Sequence, residues 1–133
     1  MTNADLAEAI HLSPSSCLRR VRRLEDDGVI VGYAMLIDPA TIGKPSSIFV
    51  EISLSNQSEE AFNAFEVAVA KCVDVMECYL MAGDSDYLVR VEVADTADYE
   101  RIHKSHLARL PGVARIRSSF TLRTVCKRTV YEL

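Results

Sequence analysis

Residues 13–28 (SPSSCLRRVRRLEDDG) contain six cationic or hydroxyl side chains after Ser13: Ser15, Ser16, Arg19, Arg20, Arg22 and Arg23. At about 100° per residue, a helix places them on one side and the apolar side chains of the stretch on the other. Guanidinium groups pair with phosphates and base edges, so the pattern is typical of a helix that binds nucleic acid. The alternative is a charged helix face that contacts only water.

The residues around this stretch predict two short helices. Ser13 is a favourable N-cap and Pro14 a favourable first residue, so the second helix begins there. Upstream, Thr2 and Asp5 have the spacing of a capping box, and His11 between the helices lies where a left-handed residue is expected. A helix-turn-helix is the motif that this pattern predicts; in it, side chains near the start of the second helix contact base edges and the later arginines contact phosphates.

The composition limits what the rest of the chain does. The 133 residues carry 15 Lys and Arg against 19 Asp and Glu, a net charge of −4, so attraction to nucleic acid must be local. Without an apolar run of membrane-spanning length or a signal peptide, the chain is expected to be cytoplasmic. The four cysteines are scattered, which favours reduced thiols over a disulfide framework or a zinc site.

Residues 48–133 alternate between strand-like and helix-like patterns. Apolar side chains recur at every second position in three segments and at helical spacing in two, and residues 75–83 (VMECYLMAG) are predicted as a further strand. The last helix runs over about residues 96–110 and the last strand over residues 113–125. The order β-α-β-β-α-β predicts an α+β, ferredoxin-like domain. Two helices cover one face of a four-stranded sheet, so we expect the other face to meet a second copy. Residues 1–33 end in a hairpin arm, and residues 34–47 are predicted as a connecting strand and linker.

A loop with the sequence GDSD joins the second and third predicted strands. Asp84 and Asp86 could accept hydrogen bonds from an ammonium group, and loop N–H groups could bind a carboxylate, which is the chemistry of an amino acid. Gly, Asp and Ser are also common turn formers, so the loop residues taken alone favour an ordinary hairpin turn.

No other residue set indicates catalysis or metal binding. His103 and His106 lie three residues apart on the last predicted helix, but no Cys, Asp or Glu obviously completes a site, so we interpret them as structural or interface histidines. The sequence contains no P-loop, nucleophile elbow or dinucleotide fingerprint, and we expect neither a cofactor nor an enzymatic activity.

Three stretches together resemble the Lrp/AsnC (leucine-responsive regulator/AsnC) family of transcriptional regulators: LAEAIHLSPSSCLRRVRRLEDDGVIVGY, MAGDSDYLVRV and LPGVARIRSSF. The resemblance implies sequence-specific binding of double-stranded DNA, a small amino acid as effector, and homodimers that assemble further, often to octamers. It assigns Ser15, Ser16, Arg19, Arg20 and Arg22 to DNA, and Arg23 joins them because it lies on the same helix face. It assigns the effector to Leu80, Met81, Gly83, Asp84, Asp86 and Tyr87.

Members of this family begin with one additional helix, and the N-terminal residues of the chain resemble the second helix of that arrangement. We therefore expect a partial helix-turn-helix over residues 1–33, which would bury little apolar surface by itself. Residues 48–133 correspond to the effector-binding and oligomerisation domain. The alternative function is a stand-alone oligomeric module that binds amino acids and has no role at DNA.

Overall fold

The computed structural model describes residues 2–132, and the chain divides into two compact units, Met1–Leu36 and Ile37–Leu133. Among the described residues, the first unit contains two helices, and the second contains a four-stranded sheet, two α-helices and one 3-10 helix. No helix within residues 2–132 is long and apolar enough to cross a membrane. In chain order the elements are α1 Asn3–Ala9, α2 Pro14–Asp26, β1 Ser46–Leu54, α3 Glu59–Val69, β2 Val75–Leu80, β3 Tyr87–Val93, α4 Thr96–Ser105, a 3-10 helix Leu107–Arg109 and β4 Val113–Phe120.

The two helices of the first unit begin where the sequence predicts. Thr2 and Asp5 form a reciprocal capping box at α1. At α2, the hydroxyl of Ser13 accepts a hydrogen bond from the backbone N–H of Ser16 at 3.2 Å. His11, in the turn between the helices, has a φ of 59°, the left-handed conformation expected of it. The predicted helix pair is therefore confirmed, down to its caps.

The helix pair packs on small side chains and leaves larger ones exposed. Ala7 and Cys17 are almost fully buried between the helices. Leu18 and Leu24, on the same side of α2 as Cys17, keep 39% and 40% of their surface exposed, and Ile10 keeps 47%. Among the described residues, the apolar side of the pair is thus only partly covered.

The second unit has the predicted ferredoxin-like fold. Its four strands are all antiparallel in the order β2-β3-β1-β4, and the inward side chains of the two central strands are fully buried. Helices α3 and α4 cover this face with Phe65, Val69, Tyr99 and Ile102. The alternation in the sequence therefore predicts the buried face of each central strand correctly.

Helix α4 is shorter than the pattern predicts. It ends at Ser105, and His106 leaves the helical conformation with φ −128° and ψ −62° before the 3-10 helix Leu107–Arg109. In a continuous helix, Leu107 would lie about 110° away from the face of Tyr99 and Ile102. The break lets Leu107 turn into the core, where it is fully buried.

Strand β4 also ends early, at Phe120 rather than Val125. Its partner β1 begins at Ser46, and the ladder closes with Thr121 donating to the carbonyl of Ser47 at 3.1 Å. Pro45 precedes β1 and has no N–H to continue the pairing. A strand cannot extend beyond the partner that supplies its hydrogen bonds.

Residues 27–45 contain neither helix nor strand, although the sequence predicts an arm and a connecting strand there. The segment is rich in apolar side chains that are largely exposed, such as Val31 at 96% and Met35 at 86%. Strand pairing needs a second row of backbone groups. No described part of the chain provides that row for this segment.

The sheet face opposite the helices carries both charged and apolar side chains. Arg90 lies at its centre, 12% exposed, and forms ion pairs with Glu77 at 2.9 Å and with Glu92. Beside it lies Phe49, which pairs with Arg90 across β1 and β3 and is 36% exposed. The next row of this open face consists of Tyr79, Leu88, Glu51 and Arg117.

Candidate functional site

The cationic face of α2 is exposed along its whole length. All four arginines predicted to contact DNA are solvent-exposed, as is Ser15. Arg23 lies 3.8 Å from Asp27, but both side chains are more than half exposed, so this pair contributes little. Arg19, Arg20 and Arg22 form no salt bridge with any residue in 2–132. These three guanidinium groups are therefore free to bind an external anion.

The two predicted serines differ in their surroundings. The hydroxyl of Ser16 accepts a hydrogen bond from that of Ser13 at 2.9 Å, and its side chain is half-buried at the cap. Ser15 is exposed, and its hydroxyl is 3.4 Å from that of Ser13. Ser16 therefore helps to fix the first turn of α2, whereas Ser15 points a hydroxyl outward from it.

The predicted effector loop lies between β2 and β3 and is tied to the end of β1. The backbone N–H of Met81 donates to the carbonyl of Asp86 at 2.8 Å, which closes the loop. The Asp86 carboxylate accepts from the backbone N–H of Leu54 at 2.8 Å and from the Gln57 amide at 3.3 Å. Asp86 thus anchors the loop to the sheet.

The tip of the loop has no such ties. Gly83 and Asp84 are exposed, and the Asp84 carboxylate makes no hydrogen bond or salt bridge with a described residue. Leu80 and Met81, which flank the loop, keep 56% and 44% of their surface exposed. Of the two loop carboxylates, only that of Asp84 is uncommitted.

Tyr87 belongs to the core rather than to the surface. Its side chain is 1% exposed and its ring stacks on that of Phe65, with ring centroids 4.2 Å apart. Its hydroxyl donates to Glu66 at 2.7 Å. Burial, and then this carboxylate, raise the pKa of Tyr87 above its ordinary value. The side chain of Tyr87 therefore belongs to the packing between the sheet and α3 rather than to an exposed surface.

A groove of about 330 Å³ runs between α3 and β2, beside the effector loop. Its lining brings two of the predicted residues, Leu80 and Tyr87, together with residues that the sequence did not single out: Glu66, Val69, Ala70, Val75, Met76, Glu77 and Cys78. Burial raises the pKa of Cys78 to about 11, so this thiol is protonated near neutral pH. The residues from α3 and its C-cap lie 10 to 14 positions before Leu80 in the chain, and only the packing of α3 on the sheet brings them to this loop.

The histidine pair makes contacts within the fold. Nε2 of His106 lies 3.7 Å from the carboxylate of Asp74, which also pairs with Arg101 at 3.6 Å. The ring of His103 meets that of Tyr99 edge-on. Within residues 2–132, no three His, Cys, Asp or Glu side chains are grouped so that they could hold a metal ion. All four cysteines are free thiols.

Comparison with known proteins divides the chain in the same way as its structure. Residues 47–131 match the Lrp/AsnC ligand binding domain, and residues 1–31 match a winged helix-turn-helix DNA-binding domain. An uncharacterized HTH-type transcriptional regulator of Sinorhizobium fredii is 48% identical over 116 residues, which cover 87% of this chain and 91% of that protein. The leucine-responsive regulatory protein of Haemophilus influenzae is 39% identical over 125 residues, covering 94% and 75%.

Solved structures of the same kind are similar over nearly the whole chain. A transcriptional regulator of Neisseria meningitidis, crystallised as a complex with L-Met, superposes with a TM-score of 0.91 at 31% identity, covering 99% of this chain and 85% of that one. A feast or famine regulatory protein of M. tuberculosis, complexed with L-methionine, gives 0.81 at 31% identity, covering 98% and 86%. With its helix-turn-helix region and its ligand-binding domain, the chain belongs to the Lrp/AsnC family of transcriptional regulators.

Proposed function

We propose that this regulator binds specific sites in double-stranded DNA through α2 and changes its assembly when a small effector, an amino acid, binds the second unit. The observation that carries the proposal is the exposed cationic face of α2, the second helix of a pair in which both N-termini are capped by side chains. In a helix-turn-helix, the second helix enters the major groove. Because the whole chain has a net charge of −4, attraction to nucleic acid must come from local cationic surfaces such as this one.

The positions of the side chains on α2 suggest which of them contact base edges and which contact phosphates. Ser15 and Arg19, near the N-terminus of the helix, are suited to base edges, and a guanidinium that makes two hydrogen bonds favours guanine. Arg20, Arg22 and Arg23 are suited to phosphates, which fix the register of the helix on the duplex. The half-buried Ser16 has a supporting role, since its hydroxyl already serves the cap.

For the effector, the loop tip offers complementary chemistry. We propose that the uncommitted carboxylate of Asp84 accepts from the ammonium group of an amino acid, while backbone N–H groups near Gly83 bind its carboxylate. Leu80 and Met81 would contact the effector's side chain. Asp86 and Tyr87 hold the loop in place. Support comes from the two related structures that contain methionine.

The open face of the sheet is the surface that we propose meets a second copy. Its central charge, Arg90, is already paired with two carboxylates of the same chain, so burying this face leaves no uncompensated cation there. Phe49 and Tyr79 add exposed apolar surface, at 36% and 52%. A homodimer formed in this way can assemble further, up to an octamer, and effector binding between subunits would shift that equilibrium.

The test of the DNA function is a binding titration with a duplex selected from a random library. Arg19→Ala with Arg20→Ala should weaken binding to the selected duplex by roughly 10-fold or more and reduce discrimination against a mismatched site. Lys71→Ala, which removes an exposed charge in the second unit, is the control and should bind normally. Selective binding that survives the arginine pair of substitutions would refute the assignment of α2 as the reading helix.

One observation favours a second candidate, a stand-alone oligomeric module that binds amino acids without a role at DNA. The exposed Leu18, Leu24 and Ile10 leave the helix pair poorly supported among the described residues. For this candidate, an amino acid would raise the melting temperature and change the oligomer size, yet the chain would bind no selected duplex. Binding of DNA at moderate salt would eliminate it.

The proposed role is regulatory and includes no catalytic step. The protein would act in the cytoplasm, where the DNA of a bacterial cell lies. The known members that the chain resembles are regulators. The free groups of the loop, an exposed carboxylate and backbone amides, suit ligand binding, and the other titratable groups nearby are engaged in the fold. No cofactor is needed for either the DNA contact or the effector contact.

A further inference from the structure

The positive charge of the second unit is concentrated at its C-terminal end. Residues 101–131 contain eight of the chain's 15 Lys and Arg residues and none of its 19 Asp and Glu residues. Four of the eight have acidic neighbours or lie on the open face, namely Arg101, Lys104, Arg115 and Arg117. Three others, Arg123, Lys127 and Arg128, follow β4, and we call residues 121–132 the basic segment.

The basic segment makes few contacts of its own. Thr121 bonds to the carbonyl of Ser47, and beyond it no residue up to 132 forms a hydrogen bond or salt bridge with a described residue. Its three cationic side chains are exposed, and so are Leu122 at 100% and Tyr131 at 87%. Lys127 lies near enough to the Glu77 carboxylate to lower its pKa, whereas Arg123 and Arg128 form no ion pair with a described residue. The segment thus presents exposed cations interleaved with apolar and aromatic side chains, a composition suited to a nucleic-acid backbone.

We propose that the basic segment is a second DNA contact, which binds phosphates without reading the sequence. The proposal rests on the proposed function, because DNA is the polyanion that a DNA-binding regulator meets. Each Lys or Arg that neutralises a phosphate releases a bound counterion, so the segment would add affinity and salt dependence. Sequence discrimination would remain with α2.

A second copy of the chain is a less suitable partner for these cations. Most carboxylates of the second unit are already engaged: Glu51, Asp74, Glu77, Glu92, Asp98 and Glu100 in salt bridges, Glu66 with Tyr87 and Asp86 with the end of β1. A new pairing between copies would have to break these contacts. A phosphodiester backbone offers one uncommitted charge per nucleotide.

The experiment compares the full chain with Arg123→Ala/Arg128→Ala and, as a control that also removes two exposed charges, Lys71→Ala/Lys104→Ala. Binding to the selected duplex and to a random duplex is measured at several salt concentrations. The segment variant should show a shallower dependence of log K on log salt, by about 1.8 for two lost phosphate contacts, and roughly 10- to 100-fold weaker binding to both duplexes at about 0.1 M salt. Its preference for the selected duplex should be unchanged.

The outcomes separate this proposal from the proposed function. An unchanged salt slope in the segment variant, or an equal change in the control, would overturn the second contact. A change in oligomer size with an unchanged slope would also overturn it, in favour of a contact between copies. If instead the parent chain binds both duplexes equally and the segment variant lowers both slopes, the sequence-specific function fails while the second contact stands.

Discussion

The two loop carboxylates, Asp84 and Asp86, differ in their contacts, and substitutions can test whether they also differ in function. Asp86 bonds to the backbone of Leu54, which is 3% exposed, whereas Asp84 is exposed and unbonded among the described residues. We expect Asp86 to matter for stability and Asp84 for the effector. The relevant variants are Asp86→Ala, Asp86→Asn and Asp84→Asn.

The expected magnitudes follow from these hydrogen bonds. Asp86→Ala leaves the buried N–H of Leu54 without an acceptor and should lower the free energy of unfolding by about 2 kcal/mol. Asp86→Asn keeps a neutral acceptor oxygen and should cost about 1 kcal/mol or less. Asp84→Asn removes no contact within the fold and should change stability by less than about 0.5 kcal/mol.

For the stability gained from the effector the order is reversed, because the substitution of Asp84 should reduce this gain more than that of Asp86. An amino acid present at about 100 times its dissociation constant adds about 2.7 kcal/mol to the free energy of unfolding. Loss of a charge-assisted hydrogen bond in Asp84→Asn should weaken binding by about 10- to 100-fold, which reduces that gain to about 0.4–1.4 kcal/mol. Asp86→Asn should keep most of the gain.

The assay is urea unfolding followed by far-UV circular dichroism, with and without L-methionine and a panel of other amino acids. The assignment is refuted if Asp86→Ala is as stable as Asp84→Asn, or if Asp86→Asn loses the gain while Asp84→Asn retains it. If no amino acid changes the unfolding of the parent chain, the effector proposal itself fails.

Three further predictions concern the sheet. Arg90→Ala should lower the free energy of unfolding, measured in urea, by about 3 kcal/mol, because it leaves two carboxylates facing each other without their cation. Adding Glu77→Gln and Glu92→Gln to this variant should restore part of the loss. The Arg90 hydrogen bond, and to a smaller extent the nearby cationic charges, lower the pKa of Glu77 below its usual 4.5. The stability that the ionised Glu77 carboxylate contributes is therefore present above a pH of about 4.5 and is lost as the pH falls through the lower folded-state pKa. Glu77→Gln should therefore narrow the difference in stability between about pH 6 and about pH 3. Tyr87→Phe should cost about 1 kcal/mol through loss of the hydroxyl's bond to Glu66, with no change in DNA binding.

Local patterns in the sequence were sufficient for most of the secondary structure. The caps at Thr2 and Ser13 were predictable because a capping side chain bonds to a backbone N–H three positions later. Alternation predicted the buried faces of β1 and β3 because successive side chains of a strand point to opposite sides. The exposed arginine face of α2 followed from helical spacing in the same way.

Where elements end was not predictable from such patterns. The break at His106 depends on a place for Leu107 in the core, and β4 ends at Phe120 because its partner β1 begins beside Pro45. In both cases the deciding contact lies on another part of the chain. Patterns of apolar residues contain no information about where a neighbouring element begins.

The sequence by itself determined the order of the helices and sheet strands, which side of the central strands is apolar, and that a cationic helix face exists in an acidic chain. Only the tertiary structure decided what the individual loop residues do. The bond from Asp86 to Leu54 spans 32 positions, and that from Tyr87 to Glu66 spans 21. Such contacts exist only after the sheet and α3 have packed together, and for that reason two side chains that look alike in the sequence, Asp84 and Asp86, have different surroundings.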